Sequence, residues 1–107
     1  MEPIAIPAAV LAFLIHLGCT PVTEVYEVDT IPIQAQGKEL IGLYCFYASP
    51  PECPASGTVY LKKGAYDAGV LVHELWHSCQ EPAQWRTREW VMNEKHAQGV
   101  ERHWRGE

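Results

Sequence analysis

The stretch HELWH, at residues 73–77, has the residue types and the spacing of a catalytic metal site. Residues four apart on a helix lie on the same face, so His73 and His77 can direct two imidazoles at one metal ion. Glu74 lies about 100° around the helix from His73, which lets its carboxylate reach a water on the ion without binding the ion. The pentapeptide therefore offers two zinc ligands and a general base for hydrolysis.

A catalytic zinc site has three protein ligands and one open position, so HELWH needs a third ligand from elsewhere in the chain. In one form of such sites a glycine and then a third histidine follow the second histidine. Gln80 and Ala83 stand at those positions, which excludes that form. In the other form a glutamate arrives from the next helix. Glu94 in NEKHA, residues 93–97, is the candidate, because the alanine three residues later lets two helices approach closely.

Two other glutamates, Glu81 and Glu89, compete with Glu94 for the third position. Glu81 lies one turn after His77, and three residues at i, i+4 and i+8 span about 12 Å along a helix, too far to converge on one ion. Glu89 lies about 140° around the last helix from Glu94, away from the apolar and small residues that accompany Glu94. Glu101 lies on the same stripe as Glu94 and could support a ligand, but we expect it to be solvated.

HELWH followed by NEKHA resembles the gluzincin group of zinc metallopeptidases, whose pattern is HExxH and then ExxA or ExxxD on a later helix. The chain is similar to the minimal, single-domain members called minigluzincins and to small, uncharacterised bacterial metallopeptidases. The likeness covers residues 57–104 well and the first half only in element order. It implies that His73, His77 and Glu94 bind zinc, that Glu74 is the general base, and that the reaction is hydrolysis of peptide bonds in a peptide or protein substrate.

The resemblance also bears on the surroundings of the ligands. Related enzymes often place an aspartate four residues after the third ligand, where it orients the first histidine, and here Gln98 stands at that position. A glutamine can accept from the N–H of His73 but supplies no charge, so Gln98 is the predicted partner of that ring. Enzymes of this kind bind the substrate as an added strand along a sheet edge, for which residues 41–48 are the candidate.

The rest of the chain predicts an α+β, minimal zincin-like domain that positions these residues. The predicted elements are a buried helix over 4–17, strands over 22–33, 41–48 and 57–63, a polar turn at 34–39, a proline-rich loop at 49–57, the HELWH helix from 68 to a stop at Pro82, and a last helix from 84 or 87 to 104. Asp67 is placed to cap the HELWH helix. The apolar run 41–48 is typical of a strand covered on both faces, paired in a hairpin with 57–63.

Length and composition limit the class of protein. A chain of 107 residues, with 48% hydrophobic and 20% charged residues, makes one globular domain over residues 1–107. The net charge of −5, without a basic cluster, argues against nucleic acid as a partner. The apolar run 4–17 is shorter than the roughly 20 residues of a membrane span and lacks the positive start and cleavage site of a secretory signal. We therefore expect a cytoplasmic protein without a membrane span, whose oligomeric state the sequence leaves open.

Cysteines stand at positions 19, 45, 53 and 79. Cys45 and Cys53 flank a loop and could pair in an oxidising compartment, but we expect all four to be reduced core thiols. Two other functions stay open besides a peptidase. Cys79 could join His73 and His77 in the structural zinc site of a binding module, or HELWH is only a helix face in a metal-free interaction domain.

Overall fold

The computed structural model describes residues 2–31, 34–35, 37–46, 53, 56–84 and 86–107. The elements found among them are α1 Ala8–His16, β1 Glu24–Val28, β2 Gln34–Ala35, β3 Lys38–Glu39, β4 Gly42–Cys45, β5 Thr58–Lys62, α2 Ala68–His77 and α3 Arg88–Trp104. The chain is thus a small α+β domain, as predicted. The predicted loop at 49–57 and the strand ends at 32–33 and 47–48 lie largely outside the described residues.

The strand β5 lies in the middle of a three-stranded sheet with the order β1-β5-β4. β1 pairs with β5 in parallel, and β4 pairs with β5 in the predicted antiparallel hairpin, with Gly42 opposite Leu61. β2 and β3 form a separate short hairpin inside the predicted polar turn. In the part of the chain that the structure describes, β4 has no partner on its outer side. It is therefore the edge of the sheet, and three of its four residues are only half-buried instead of covered on both faces.

The helix α2 carries HELWH and begins where the sequence predicts. The carboxylate of Asp67 accepts from the backbone N–H of Val70 at 3.0 Å, which satisfies one of the free donors of the first turn. Leu71, Val72 and Leu75 share one face and are fully buried in the core with β1 and β5. This packing leaves the neighbouring face of α2, with its histidines, turned toward α3.

The helix α3 packs against α2 in the antiparallel direction. Its first turn is capped by Thr87, whose hydroxyl accepts from the N–H of Trp90 at 3.2 Å. The side chain of Ala97 on α3 is 0% exposed, so this small residue is fully buried one turn after Glu94. The end of α3 reaches the start of α2 through Arg105 and Asp67, which shows the direction of packing.

The helix α1 is shorter than predicted and buries one face instead of its whole surface. It begins after Pro7 and ends before Gly18, whose φ of 88° lies in the left-handed region that glycine adopts without strain. Val10 and Leu14 are buried, whereas Ile15 is 49% exposed. None of the helices in the described ranges is long and apolar enough to cross a membrane.

Two disulfides show that the prediction of reduced thiols is wrong. Cys19, after α1, pairs with Cys79, after α2, and Cys45 pairs with Cys53. The first two partners are 60 residues apart in sequence and meet only because α1 packs on α2. The thiol of Cys79 is therefore not available to a metal, so the binding module in which Cys79 joins the two histidines is also wrong.

Removing the two disulfides is expected to have unequal effects. The Cys19–Cys79 bridge closes a loop of 60 residues and the Cys45–Cys53 bridge a loop of 8. Because the entropy that a bridge removes from the unfolded chain grows with loop length, alanine at both ends should lower the free energy of unfolding by about 4 kcal/mol for the first and about 2.5 kcal/mol for the second. Urea unfolding of the two double variants measures the losses. A larger loss from the shorter loop would contradict this expectation.

Candidate active site

Three side chains from two helices meet at one point. The Nε2 atoms of His73 and His77 lie 2.7 Å and 3.2 Å from the two carboxylate oxygens of Glu94. The centroids of the two imidazole rings are 5.0 Å apart. The rival glutamates, Glu81 and Glu89, are exposed and form no ion pair with either ring. The structure therefore brings the three predicted zinc ligands together and leaves these two rivals outside.

The second nitrogen of each ring faces an acceptor. His73 Nδ1 lies 3.0 Å from a carboxylate oxygen of Glu101, and His77 Nδ1 lies 2.6 Å from the amide oxygen of Gln80. The amide nitrogen of Gln80 donates to the carbonyl of Asn93 at 3.0 Å, which fixes the amide and keeps its oxygen on the histidine. Each Nδ1 therefore donates a proton outward, and each Nε2 is directed inward.

This arrangement is favourable only when a positive charge, from a proton or a metal ion, lies between the two rings and Glu94. In a neutral imidazole that donates from Nδ1, Nε2 carries a lone pair, and a lone pair aimed at a carboxylate oxygen is repelled. Zinc with bonds of about 2.0–2.1 Å in tetrahedral geometry holds its ligand atoms about 3.3 Å apart. The separations of 2.7 Å and 3.2 Å are hydrogen-bond distances, so a zinc ion at this point would need His73 Nε2 and the Glu94 oxygen to lie about half an ångström further apart. Two imidazoles and one carboxylate are also a donor set of catalytic zinc sites, so the residues fit this metal.

Protons can supply part of the same positive charge. Burial opposes the charged form of His73, but its hydrogen bond to Glu94 and the charges of Glu74, Glu94 and Glu101 outweigh burial and raise its pKa to about 9. Burial likewise opposes ionisation of Glu94, but its hydrogen bonds with His73 and His77 lower its pKa to about 2. Without a metal, His73 therefore holds a proton at neutral pH, which a metal ion must displace in order to bind.

Glu74 lies beside the two histidines, close enough to be a candidate ligand itself. Candidate ligand atoms of His73, Glu74 and His77 all lie within 4.8 Å of one another, but the ion pairs to both rings come from Glu94. Burial raises the pKa of Glu74, and the charges of the two histidines act in the opposite direction. A Cβ placed on Gly42 of β4 would lie 2.9 Å from Oε2 of Glu74, so the sheet edge passes directly over this carboxylate.

The partner of His73 is Glu101, which corrects the prediction of Gln98. Gln98 is exposed, and its side chain makes no hydrogen bond within the described part of the chain. Glu101 follows Glu94 by two helical turns and returns to the same face, whereas Gln98, four residues on, is turned by about 40° from it. The expectation that Glu101 is solvated is wrong for the same reason, since His73 lies between the two glutamates.

Two amide side chains join the end of α2 to the start of α3. Gln80 donates to the carbonyl of Asn93, and Asn93 donates to the carbonyl of Glu81 at 2.9 Å. These reciprocal hydrogen bonds lie next to His77 and Glu94 and hold them at a fixed separation. The role of Gln80 was not predicted from the sequence, although its place three residues after His77 puts it within reach of that ring.

Arg105 joins the helices at their other ends. Its Nη1 and Nη2 lie 2.7 Å and 2.9 Å from the two carboxylate oxygens of Asp67. Its Nε and Nη2 lie 3.0 Å and 2.8 Å from one oxygen of Glu101. A chain of hydrogen bonds therefore runs from the cap of α2 through Arg105 and Glu101 to His73.

The charge of Asp67 is expected to stabilise the protein at neutral pH and to lose this effect in acid. Hydrogen bonds from Arg105 and then from the N–H of Val70 lower its pKa from 3.8 to about 2. A lowered pKa in the folded state means that the stabilisation is complete above about pH 4 and is lost as the pH falls toward about 2. Asp67→Asn keeps a capping oxygen but has no charge to lose.

Urea unfolding across that range measures the difference between wild type and Asp67→Asn. The free energy of unfolding of the wild type should fall more steeply than that of the variant, since all other carboxylates titrate in both proteins. Parallel curves would mean that the ion pair with Arg105 adds no stability.

No protein-family model, curated protein or solved structure matches this chain. The likeness to gluzincins is therefore carried by HELWH and NEKHA alone. A function has to be argued from these residues and from the geometry in which the fold places them.

Proposed function

We propose that this protein is a zinc metallopeptidase, in which His73, His77 and Glu94 bind zinc and Glu74 is the general base. The convergence of two Nε2 atoms on one carboxylate, with both Nδ1 atoms engaged by acceptors, is the observation that supports this proposal most strongly. Taking three ionisable groups out of water is costly unless a bound partner offsets the cost. A bound metal ion would offset this cost by its attraction to the three groups.

The chain's own groups divide the remaining work. Zinc, when bound, polarises a scissile carbonyl and makes water acidic enough to attack at neutral pH. Glu74 takes a proton from the attacking water and delivers it to the leaving amine nitrogen. Glu101 and Gln80 keep the two imidazoles oriented throughout.

The substrate is a peptide or protein segment in extended conformation. β4 is a sheet edge, and its Gly42 lies against Glu74. A peptide that pairs with the N–H and C=O groups of β4 that have no strand partner in the described ranges would carry a peptide bond past Glu74. Phe46, whose ring centroid is 5.7 Å from that of His77, offers an aromatic surface to a side chain next to that bond.

The two disulfides favour an oxidising compartment over the cytoplasm for this activity. The cytoplasm keeps thiols reduced, and the loss of the Cys19–Cys79 bridge would release the turn that follows the HELWH helix. We therefore place the working enzyme outside the cytoplasm, in contrast to the expectation from the sequence.

The second candidate function is that of a metal-free interaction domain. The protonation of His73 favours this alternative. A protonated His73, with its pKa of about 9, already forms an ion pair with Glu94 and needs no metal for charge balance. In that protein a chelator leaves thermal stability unchanged, whereas a zinc ion that joins α2 to α3 raises the melting temperature.

Hydrolysis of an unfolded protein substrate tests the peptidase proposal. The purified, zinc-loaded protein should cleave it, a chelator should stop cleavage, and zinc added back should restore it. Zinc-loaded protein that leaves many different unfolded substrates intact, or cleavage that a chelator does not affect, would contradict the proposal.

Gly42→Ala is expected to lower kcat/KM by about 10- to 100-fold without loss of zinc, because a small displacement of a reacting group is costly. The added Cβ would lie 2.9 Å from Oε2 of Glu74, so the flexible end of that side chain must move. Gly99→Ala is the matched control, since its Cβ would meet nothing within 4 Å. Unchanged kinetics in Gly42→Ala would mean that Glu74 does not act from its observed position.

A further inference from the structure

We propose that Arg105 is a positioning residue of the metal site, which acts on His73 through Glu101; this inference rests on the proposed zinc site. The carboxylate of Glu101 is shared between two partners. One oxygen lies 3.0 Å from His73 Nδ1, and the other lies 3.0 Å and 2.8 Å from Nε and Nη2 of Arg105. The guanidinium therefore fixes the plane of the carboxylate that orients the ring.

The guanidinium of Arg105 packs against the start of α2, in a site formed by Asp67 and Gly69. Its other edge makes two hydrogen bonds with the carboxylate of Asp67, at 2.7 Å and 2.9 Å. Its face lies on Gly69, where an added Cβ would overlap the central guanidinium carbon. A planar guanidinium with five N–H donors can occupy this site and donate to both carboxylates, which a single ammonium group cannot. Gly69 therefore provides room for Arg105 in the first turn of the helix that carries the ligands.

Electrostatic attraction gives the contact a second role. The acidic side chains of Glu74, Glu94 and Glu101 surround the two imidazoles. Within the described ranges, Arg105 is the arginine or lysine that forms an ion pair with one of these carboxylates. Its positive charge attracts the carboxylate of Glu101 and holds it beside His73.

Arg105→Met is expected to weaken zinc binding about tenfold, in the range that follows loss of a group that orients a ligand. Glu101→Met should weaken it by about 10- to 100-fold. If Arg105 acts through Glu101, adding Arg105→Met to Glu101→Met costs no further affinity. Competition with a chromophoric chelator gives the zinc affinity of all four proteins, and the visible spectrum of the cobalt-loaded forms reports the ligand geometry.

Two further variants separate positioning from a general effect on the fold. Gly69→Ala keeps Arg105 but places a methyl group where the guanidinium lies. It should therefore weaken zinc binding as much as Arg105→Met does, even though alanine favours a helix more than glycine. Arg102→Met removes the same charge from an exposed position of α3 and should leave zinc affinity unchanged. Thermal unfolding in chelator confirms that each variant is folded.

Full zinc affinity in Arg105→Met and Gly69→Ala, at the level of Arg102→Met, would overturn the inference while the zinc site stands. The inference would also be overturned if Arg105→Met lowered zinc affinity as much in the Glu101→Met background as in the wild type. The effect of Arg105 would then not pass through Glu101. Wild-type protein that binds no zinc would instead contradict the proposed function, and with it this inference.

Discussion

Glu74→Gln is expected to lower kcat for peptide hydrolysis by about 10²–10⁴-fold while the protein keeps its zinc. The amide has the size of the carboxylate but cannot accept a proton from the attacking water. Metal binding should survive, because the ion pairs with His73 and His77 come from Glu94 and not from Glu74. Steady-state kinetics on one peptide, with zinc content measured on the same samples, separates the two properties.

A matched change at an exposed glutamate controls for general effects of lost charge. Glu89→Gln lies at the start of α3, outside the site, and should change neither zinc content nor kcat. Wild-type activity in Glu74→Gln would remove Glu74 from the role of general base. Loss of zinc together with activity would instead make Glu74 a ligand.

Glu94→Ala is expected to weaken zinc binding by more than about 100-fold, because it removes a direct ligand. Loss of a group that only orients a ligand costs about 10- to 100-fold. Both Nε2 atoms lose their common partner, and the remaining two imidazoles sit on one helix with no donor from α3. The carboxylate that holds the two helices together at the metal is gone. Chelator competition measures the affinity, and elemental analysis gives the zinc content.

The rival assignment supplies the control for this second prediction. Glu89→Ala removes the other glutamate considered on α3 and should bind zinc like the wild type. Full zinc content in Glu94→Ala would remove Glu94 from the ligand set. Loss of zinc in Glu89→Ala would mean that α3 is rotated relative to the structure described above.

The elements that carry the site could be predicted because their signals are local. Asp67 and Thr87 cap the first turns of α2 and α3, and each accepts from an N–H three residues later. Gly18 allows the left-handed turn that follows α1. The i, i+4 spacing alone places His73 and His77 on one face. None of these features depends on how distant parts of the chain pack.

The groups that orient the ligands could not be predicted, because they depend on how two helices are set against each other. Gln98 and Glu101 both lie near the face of Glu94, and only the antiparallel packing of α3 on α2 brings Glu101 to His73. The contact of Arg105 with Asp67 joins residues 38 apart. The Cys19–Cys79 bridge likewise depends on the packing of α1. No short-range pattern encodes any of these three contacts.

Zinc content per chain, measured by elemental analysis of wild-type protein purified with zinc supplied, tests the central claim most directly. The proposed site of His73, His77 and Glu94 predicts a stoichiometry close to one zinc per chain, lost on dialysis against a strong chelator and regained when zinc is returned. Protein that is folded, with both disulfides formed, and yet contains no zinc would contradict the metal site. The ion pair of His73 with Glu94 would then be a feature of an interaction domain, and the peptidase proposal would fall.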